Sequence, residues 1–418
     1  MKIKVHGSDN YIKFKSLFST LSKVSFCEIS DQFNSGEVNG HIFFSDNHQI
    51  ILPEAPALVY LNNYVLDKSL VTDILIKTDL CGIKLSEKKF STKSLELKKP
   101  VSLNPNHEVI ASQNDKCIWY SSDHYAFKHY YSLIPPCNLE VHQSLKDKFT
   151  SKDFIQVLPI IIFLKELVGD SLIYPKAMAS IIIDDPNLHR TKYGYLDYKK
   201  IVEDSTIHGY HINFATIPLD LFYASKKALN LLKKNGKHLS LIIHGNNHTS
   251  AELLVNSHQK SYSKLLMIKK RVDKFYQKYG VRIGRVIIPP HGMMSREFLK
   301  NIALFDFLGA CISRPFPWYS SPSPSTIIEE CENYTKMFPA DFIEGTPIVP
   351  RMKAFEDIPF KLILHIPLVF YFHHDDFKHG IEKFGEIVNM LNQYADVTWA
   401  SLNNIFHSSF PRDRVYWN

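Results

Sequence analysis

Ile181-Ile182-Ile183-Asp184-Asp185-Pro186 is a wholly apolar, β-branched run that ends in two adjacent carboxylates. With no polar residue on either face, the run predicts a strand buried on both sides, as in a parallel sheet, and its end is where a ligand crevice opens. Two neighbouring carboxylates repel each other unless a cation lies between them or one keeps a proton. A solvated Asp-Asp-Pro turn is the plainer use of the same residues.

Working outward from Ser180 to Ile183, strand-length apolar runs recur at Ile212 to Thr216, Leu239 to Ile243, Val286 to Ile288, Leu308 to Ile312, Pro347 to Val349, Pro367 to Phe372 and Val397 to Ala400. Helix-period stretches lie between them at Tyr198 to Thr206, Leu221 to Lys234, Leu265 to Tyr279, Arg296 to Leu304 and Ile381 to Tyr394. About eight strands alternating with helices over roughly 230 residues predict an α/β architecture, a distorted (β/α) barrel of seven or eight strands covering 175–418. From Ser313 to Glu344, prolines around Arg314 and Trp318 interrupt the rhythm and predict a long loop at the barrel mouth.

Ahead of the barrel, residues 1–105 alternate apolar strands with polar helices and predict a smaller α/β domain. It has no Gly-rich phosphate loop, so it reads as a module for packing, for presenting substrate, or for forming a homo-oligomer. Residues 106–174 read as a connecting β segment followed by an apolar helix, Phe154 to Leu167.

The chain has 418 residues, 45% hydrophobic and 22% charged, which excludes a disordered class and allows two or three domains. A net charge of +7 is spread along the sequence, and its short lysine clusters sit on predicted helix surfaces, so no nucleic-acid partner is expected. Six cysteines without CxxC spacing predict packed, reduced thiols. Met1 to Gly7 lacks the apolar core of a signal peptide and no apolar run is long enough to span a bilayer, so a cytoplasmic protein without a membrane span is expected.

Barrel enzymes place their chemistry at the C-terminal ends of the strands. Those ends carry Asp184-Asp185, His244-Gly245-Asn246-Asn247-His248, Pro289-Pro290-His291-Gly292, Arg314, Arg351 and His373-His374-Asp375-Asp376. His244 and His248 have the i, i+4 spacing that brings two imidazoles to one side of a helical turn, and a carboxylate would complete a three-ligand metal site. Pro290 to Gly292 is either a rigid turn or a groove wall whose backbone amide faces a developing oxyanion. His373 to Asp376 is either a helix cap or a strand-terminal general acid. Tyr193, Tyr195, Trp318 and Tyr319 are candidates for stacking on a ring-shaped ligand or for simple packing.

Taken in order, Asp-Asp, HxxxH, Pro-Pro-x-Gly and a strand-terminal His resemble the polysaccharide deacetylases of carbohydrate esterase family four, over about residues 175–410. The resemblance implies hydrolytic removal of acetyl groups from N-acetylated, or O-acetylated, sugars, with a divalent metal, most often zinc. It implies Asp184 as base, Asp185, His244 and His248 as metal ligands, and His374 as acid, with His373 as the near alternative and His365 as a distant one. The family carries an Arg before its Pro-Pro element where this chain has Ile288, and its Asp-x-x-x-Trp motif has no clear copy here. Arg314 or Arg351 is left to orient the base or to contact substrate. The alternatives are a non-catalytic carbohydrate-binding or scaffold protein on the same barrel, and a metal-dependent hydrolase of small non-peptide amides.

Overall fold

The computed structural model describes residues 1–25, 27–45, 50–61, 64–97, 101, 103–124, 126–139, 145, 149, 153–169, 176–313, 341–343, 346–353, 355 and 357–410. The chain divides into two units, one of Met1–Ile173 with Pro359–Ile363, the other comprising most of the remainder from Tyr174 onward.

The first unit is built on a nine-stranded sheet. Lys2–Val5, Glu28–Ser30, Gly40–Ser45, Ala57–Leu61 and Phe127–Ser132 run parallel to their neighbours, and Lys116–His124, His107–Gln113, Tyr64–Ile76 and Lys88–Leu97 continue the sheet in antiparallel hairpins. Residues 107–132, expected as a connector, are therefore the middle of this sheet, because Phe127–Ser132 pairs with Ala57–Leu61. Helix Leu158–Val168 is apolar and almost wholly buried, and its Phe163 and Leu167 lie where a side chain at Gly40 would otherwise stand. Phe360 packs on Phe154, Phe149 and Phe90.

The second unit is a closed barrel of seven parallel strands. In ring order these are Met178–Asp184, Ile212–Thr216, Leu239–His244, Val286–Ile288, Gly309–Ile312, Thr346–Met352 and Leu368–Phe372. Closure comes from the first strand, which pairs with Ile212–Thr216 on one side and Leu368–Phe372 on the other. The eighth predicted strand survives only as Thr398–Trp399, which pairs with Met178 and Ala179 outside the ring. Helices return the chain between strands, and Asp197, Ser225, Ser257, Ser295 and Ser401 cap five of them by accepting a backbone N–H.

Strand periodicity decides what enters the barrel. Ile182, Ile242, Val349 and Val369 belong to one buried cluster with Ala215, Val286, Ile288 and Cys311. Side chains two residues further along point the same way. Asp184, His244 and Arg351 therefore stand over this core at the C-terminal end of the barrel, and His373 continues the row that passes through Val369 and Tyr371. Among the described residues no helix is long and apolar enough to cross a membrane, and the five cysteines described are free.

Candidate metal centre and active site

Asp184 is 3% exposed, and both of its carboxylate oxygens accept from the Arg351 guanidinium, at 2.8 and 2.7 Å. Burial alone would push this carboxyl up, but the Arg351 charge, His244 and the Arg351 hydrogen bonds outweigh it and hold Asp184 below its ordinary value. Arg351 also lies over the Tyr371 ring at 4.5 Å. Of the two uses expected for Arg351, orienting Asp184 or contacting substrate, the contact present is with Asp184, toward which its buried side chain is directed.

Asp185 turns away from Asp184 through a backbone φ of 53°, which directs the two adjacent carboxylates to different partners. Its Oδ1 lies 3.3 Å from His244 Nε2 and 3.2 Å from His248 Nε2. The same oxygen is buried without a hydrogen-bond partner, so the three donor atoms converge on a common point and do not bond one another. They all lie within 4.8 Å of each other. His244 Nδ1 lies 3.0 Å from the Ile288 carbonyl, and a proton donated there leaves Nε2 as the free lone pair. Burial, opposed by Asp184 and Asp185, lowers the His244 pKa and favours the neutral imidazole that ligation requires. An orphaned buried oxygen and two correctly turned imidazoles fit a divalent ion with an open position, and their N,N,O donor set suits zinc.

The expected helical turn between the two histidines is absent. Residues 245–248 form an irregular loop in which Gly245 has φ 59° and His248 has φ 59°. Three consecutive N–H groups, of Asn246, Asn247 and His248, donate to the Glu252 carboxylate at 2.9, 2.7 and 3.1 Å. Glu252 was missed from sequence, and only its position four residues after His248, beyond the Gly-Asn-Asn run, marks it.

Pro289, Pro290 and Gly292 form a tight turn, with His291 at φ 57° and its ring 5.6 Å from that of His248. Pro290 has no N–H and Gly292 donates its own to the Pro289 carbonyl, so the backbone amide expected in this turn to face an oxyanion would be that of His291. His373 Nε2 lies 3.9 Å from Asp184 Oδ2. The cap reading of this segment also holds, because the Asp376 carboxylate accepts the His373 N–H at 2.8 Å. His374 is placed differently. Its Nδ1 is 3.1 Å from Asp375, and its ring meets Tyr193 edge to face at 4.7 Å. A Cβ on Gly194 would come within 2.3 Å of the His374 ring. Tyr195 is exposed beside it, while Arg314, Trp318 and Tyr319 lie outside the described residues. His365, at φ 57°, follows helix Ile358–Ile363 and precedes the strand Leu368–Phe372, at the opposite end of that strand from His373.

The (β/α) barrel thus carries, at the C-terminal ends of its strands, an Asp-His-His group that could hold a metal ion and a buried Asp-Arg pair. Solved structures of the same fold include that of Agd3, described as a novel carbohydrate deacetylase, at 10% identity and a TM-score of 0.54, covering 97% of this chain and 86% of that one. Weaker likenesses are to the Xyl-CE4 domain of a multidomain xylanase from the hindgut metagenome of Trinervitermes trinervoides (13% identity, 56% of this chain and 90% of that one, TM-score 0.32) and the peptidoglycan deacetylase PdaC of Bacillus subtilis (15%, 55% and 91%, TM-score 0.31). No protein-family model and no curated protein sequence matches the chain.

Proposed function

We propose that this chain is a metal-dependent carbohydrate deacetylase of the family-four type, acting on N-acetylated or O-acetylated sugars. The observation that carries the reading is the division of labour between adjacent carboxylates: Asp185 joins two imidazoles around one point, and Asp184 is held ionised by Arg351. The sequence resemblance and the fold shared with a carbohydrate deacetylase support it.

Asp185, His244 and His248 would hold the ion, which when bound supplies Lewis acidity toward an acyl oxygen and lowers the pKa of water. Asp184, ionised and aimed into the mouth, accepts the proton of the attacking water. Arg351 fixes both oxygens of that base. The His291 N–H is the amide available to an oxyanion. We assign the acid that protonates the departing amine to His373, because the strand periodicity turns it into the same mouth as Asp184, whereas His374 is packed beneath the Tyr193–Tyr195 turn. The carboxylate of Asp375 beside His374 is the one observation that favours the other assignment.

Acetate release from acetylated oligosaccharides, measured with zinc and again with a chelator, tests the proposal. Chelator-sensitive release is expected. Stoichiometric zinc without acetate release from any acetylated sugar would favour the carbohydrate-binding alternative, and release only from small amides the other hydrolase.

A further inference from the structure

Beyond His244, the segment that carries the second histidine ligand has no helix or strand to hold it. It leaves the strand at His244, passes through Gly245 and Asn246-Asn247, and presents His248 from a backbone region that side chains seldom occupy. Successive N–H groups turned toward one point make a concavity that binds an anion. Here the chain supplies its own anion, since Glu252 is 4% exposed and Oε2 accepts from Asn246 and His248 while Oε1 accepts from Asn247.

The backbone on both sides of this contact is fixed as well. Lys264 Nζ donates to the Glu252 carbonyl at 2.8 Å, and one guanidinium nitrogen of Arg271 bonds the Asn246 carbonyl at 3.1 Å and the Asn246 and Asn247 side chains at 2.6 and 2.5 Å. A Cβ at position 245 would lie 2.5 Å from both Glu252 Oε2 and Pro290 Cγ, so Gly245 lets the carboxylate close onto the loop.

We propose that Glu252 is a positioning residue of the metal centre: its carboxylate, through three backbone N–H groups, sets the direction of His248 Nε2 relative to His244 and Asp185. This rests on the metal-centre reading and not on the identity of the substrate. Both oxygens are needed. Glu252→Gln turns one acceptor into an NH2 that faces a backbone N–H, and Glu252→Asp keeps both acceptors but withdraws them by one methylene.

The test is zinc affinity by competition with a chromophoric chelator, on the wild type and both variants, alongside thermal melts of the metal-free proteins. Loss of groups that orient ligands weakens metal binding by about 10- to 100-fold. The expected result is a loss of that size for Glu252→Gln, a smaller one for Glu252→Asp, and metal-free melts close to wild type. Wild-type zinc affinity in a folded Glu252→Gln protein overturns the proposal. So does failure of both variants to fold without metal, which would assign Glu252 to the fold as a whole. A wild type that binds no zinc removes the centre itself, a failure distinct from an unchanged affinity in the variant.

Discussion

A single guanidinium nitrogen of Arg351 donates to both carboxylate oxygens of Asp184, across the strand Leu368–Phe372 that separates their own strands in the barrel. A buried pair of this kind is costly to break from one side, because the partner left behind is an uncompensated charge.

Arg351→Met is therefore expected to lower stability by about 3–5 kcal/mol. Replacing both charges, in Asp184→Asn with Arg351→Met, should recover most of that loss while leaving no base. Urea unfolding of the wild type, the two single variants and the double variant measures the coupling. A loss in the double variant equal to the sum of the two single losses would show that the pair is not coupled.

Asp185→Ala should abolish stoichiometric zinc binding, while Asp184→Asn should keep the metal and lose turnover. Metal analysis of the purified variants distinguishes them, and zinc retained by Asp185→Ala would remove Asp185 from the ligand set.

His373→Ala is expected to slow acetate release by about 10²–10⁴-fold, the range for a general acid. His374→Ala should act mainly through the turn resting on it, as should Gly194→Ala, whose Cβ would lie 2.3 Å from His374 Nδ1. Steady-state rates at saturating zinc decide the matter. A larger loss in His374→Ala would transfer the acid role to that residue.

His211 predicts a pH dependence at the other end of the barrel. Its ring lies 2.8 Å from the Lys237 carbonyl and 3.0 Å from Ser240 Oγ, and burial above all lowers its pKa from 6.5 to about 4. The unfolded chain thus takes up this proton below pH 6.5, while the folded one resists it until about pH 4. The stability contributed is present above pH 6.5 and drains away as pH falls toward 4, by on the order of 3 kcal/mol in full. In His211→Gln the slope of unfolding free energy between these pH values should be shallower than in the wild type.

How much of this could be read from sequence depends on the range of the interaction. The barrel strands are legible because Ile181 to Ile183 and Leu239 to Ile243 are buried on both faces, which leaves a local apolar signature. The partner of Asp184 is legible only as one of two arginines at strand ends, Arg314 or Arg351, since Arg351 lies 167 residues away and reaches it only through ring closure. The spacing of His244 and His248 predicts their proximity correctly but for the wrong reason. A helical turn and a loop folded on a carboxylate both bring residues i and i+4 together, and Gly245 is the local mark of the second. The place of residues 107–132 in the first sheet was likewise hidden, because the pairing of Phe127–Ser132 with Ala57–Leu61 is non-local.

The closing strand has one more consequence, in time. Met178–Asp184 is the first barrel strand to leave the ribosome and Leu368–Phe372 the last of the ring, and pairings so distant in sequence form slowly. Asp184 meets Arg351 only when that last seam forms, so an incomplete barrel holds an unpartnered carboxylate beside Asp185.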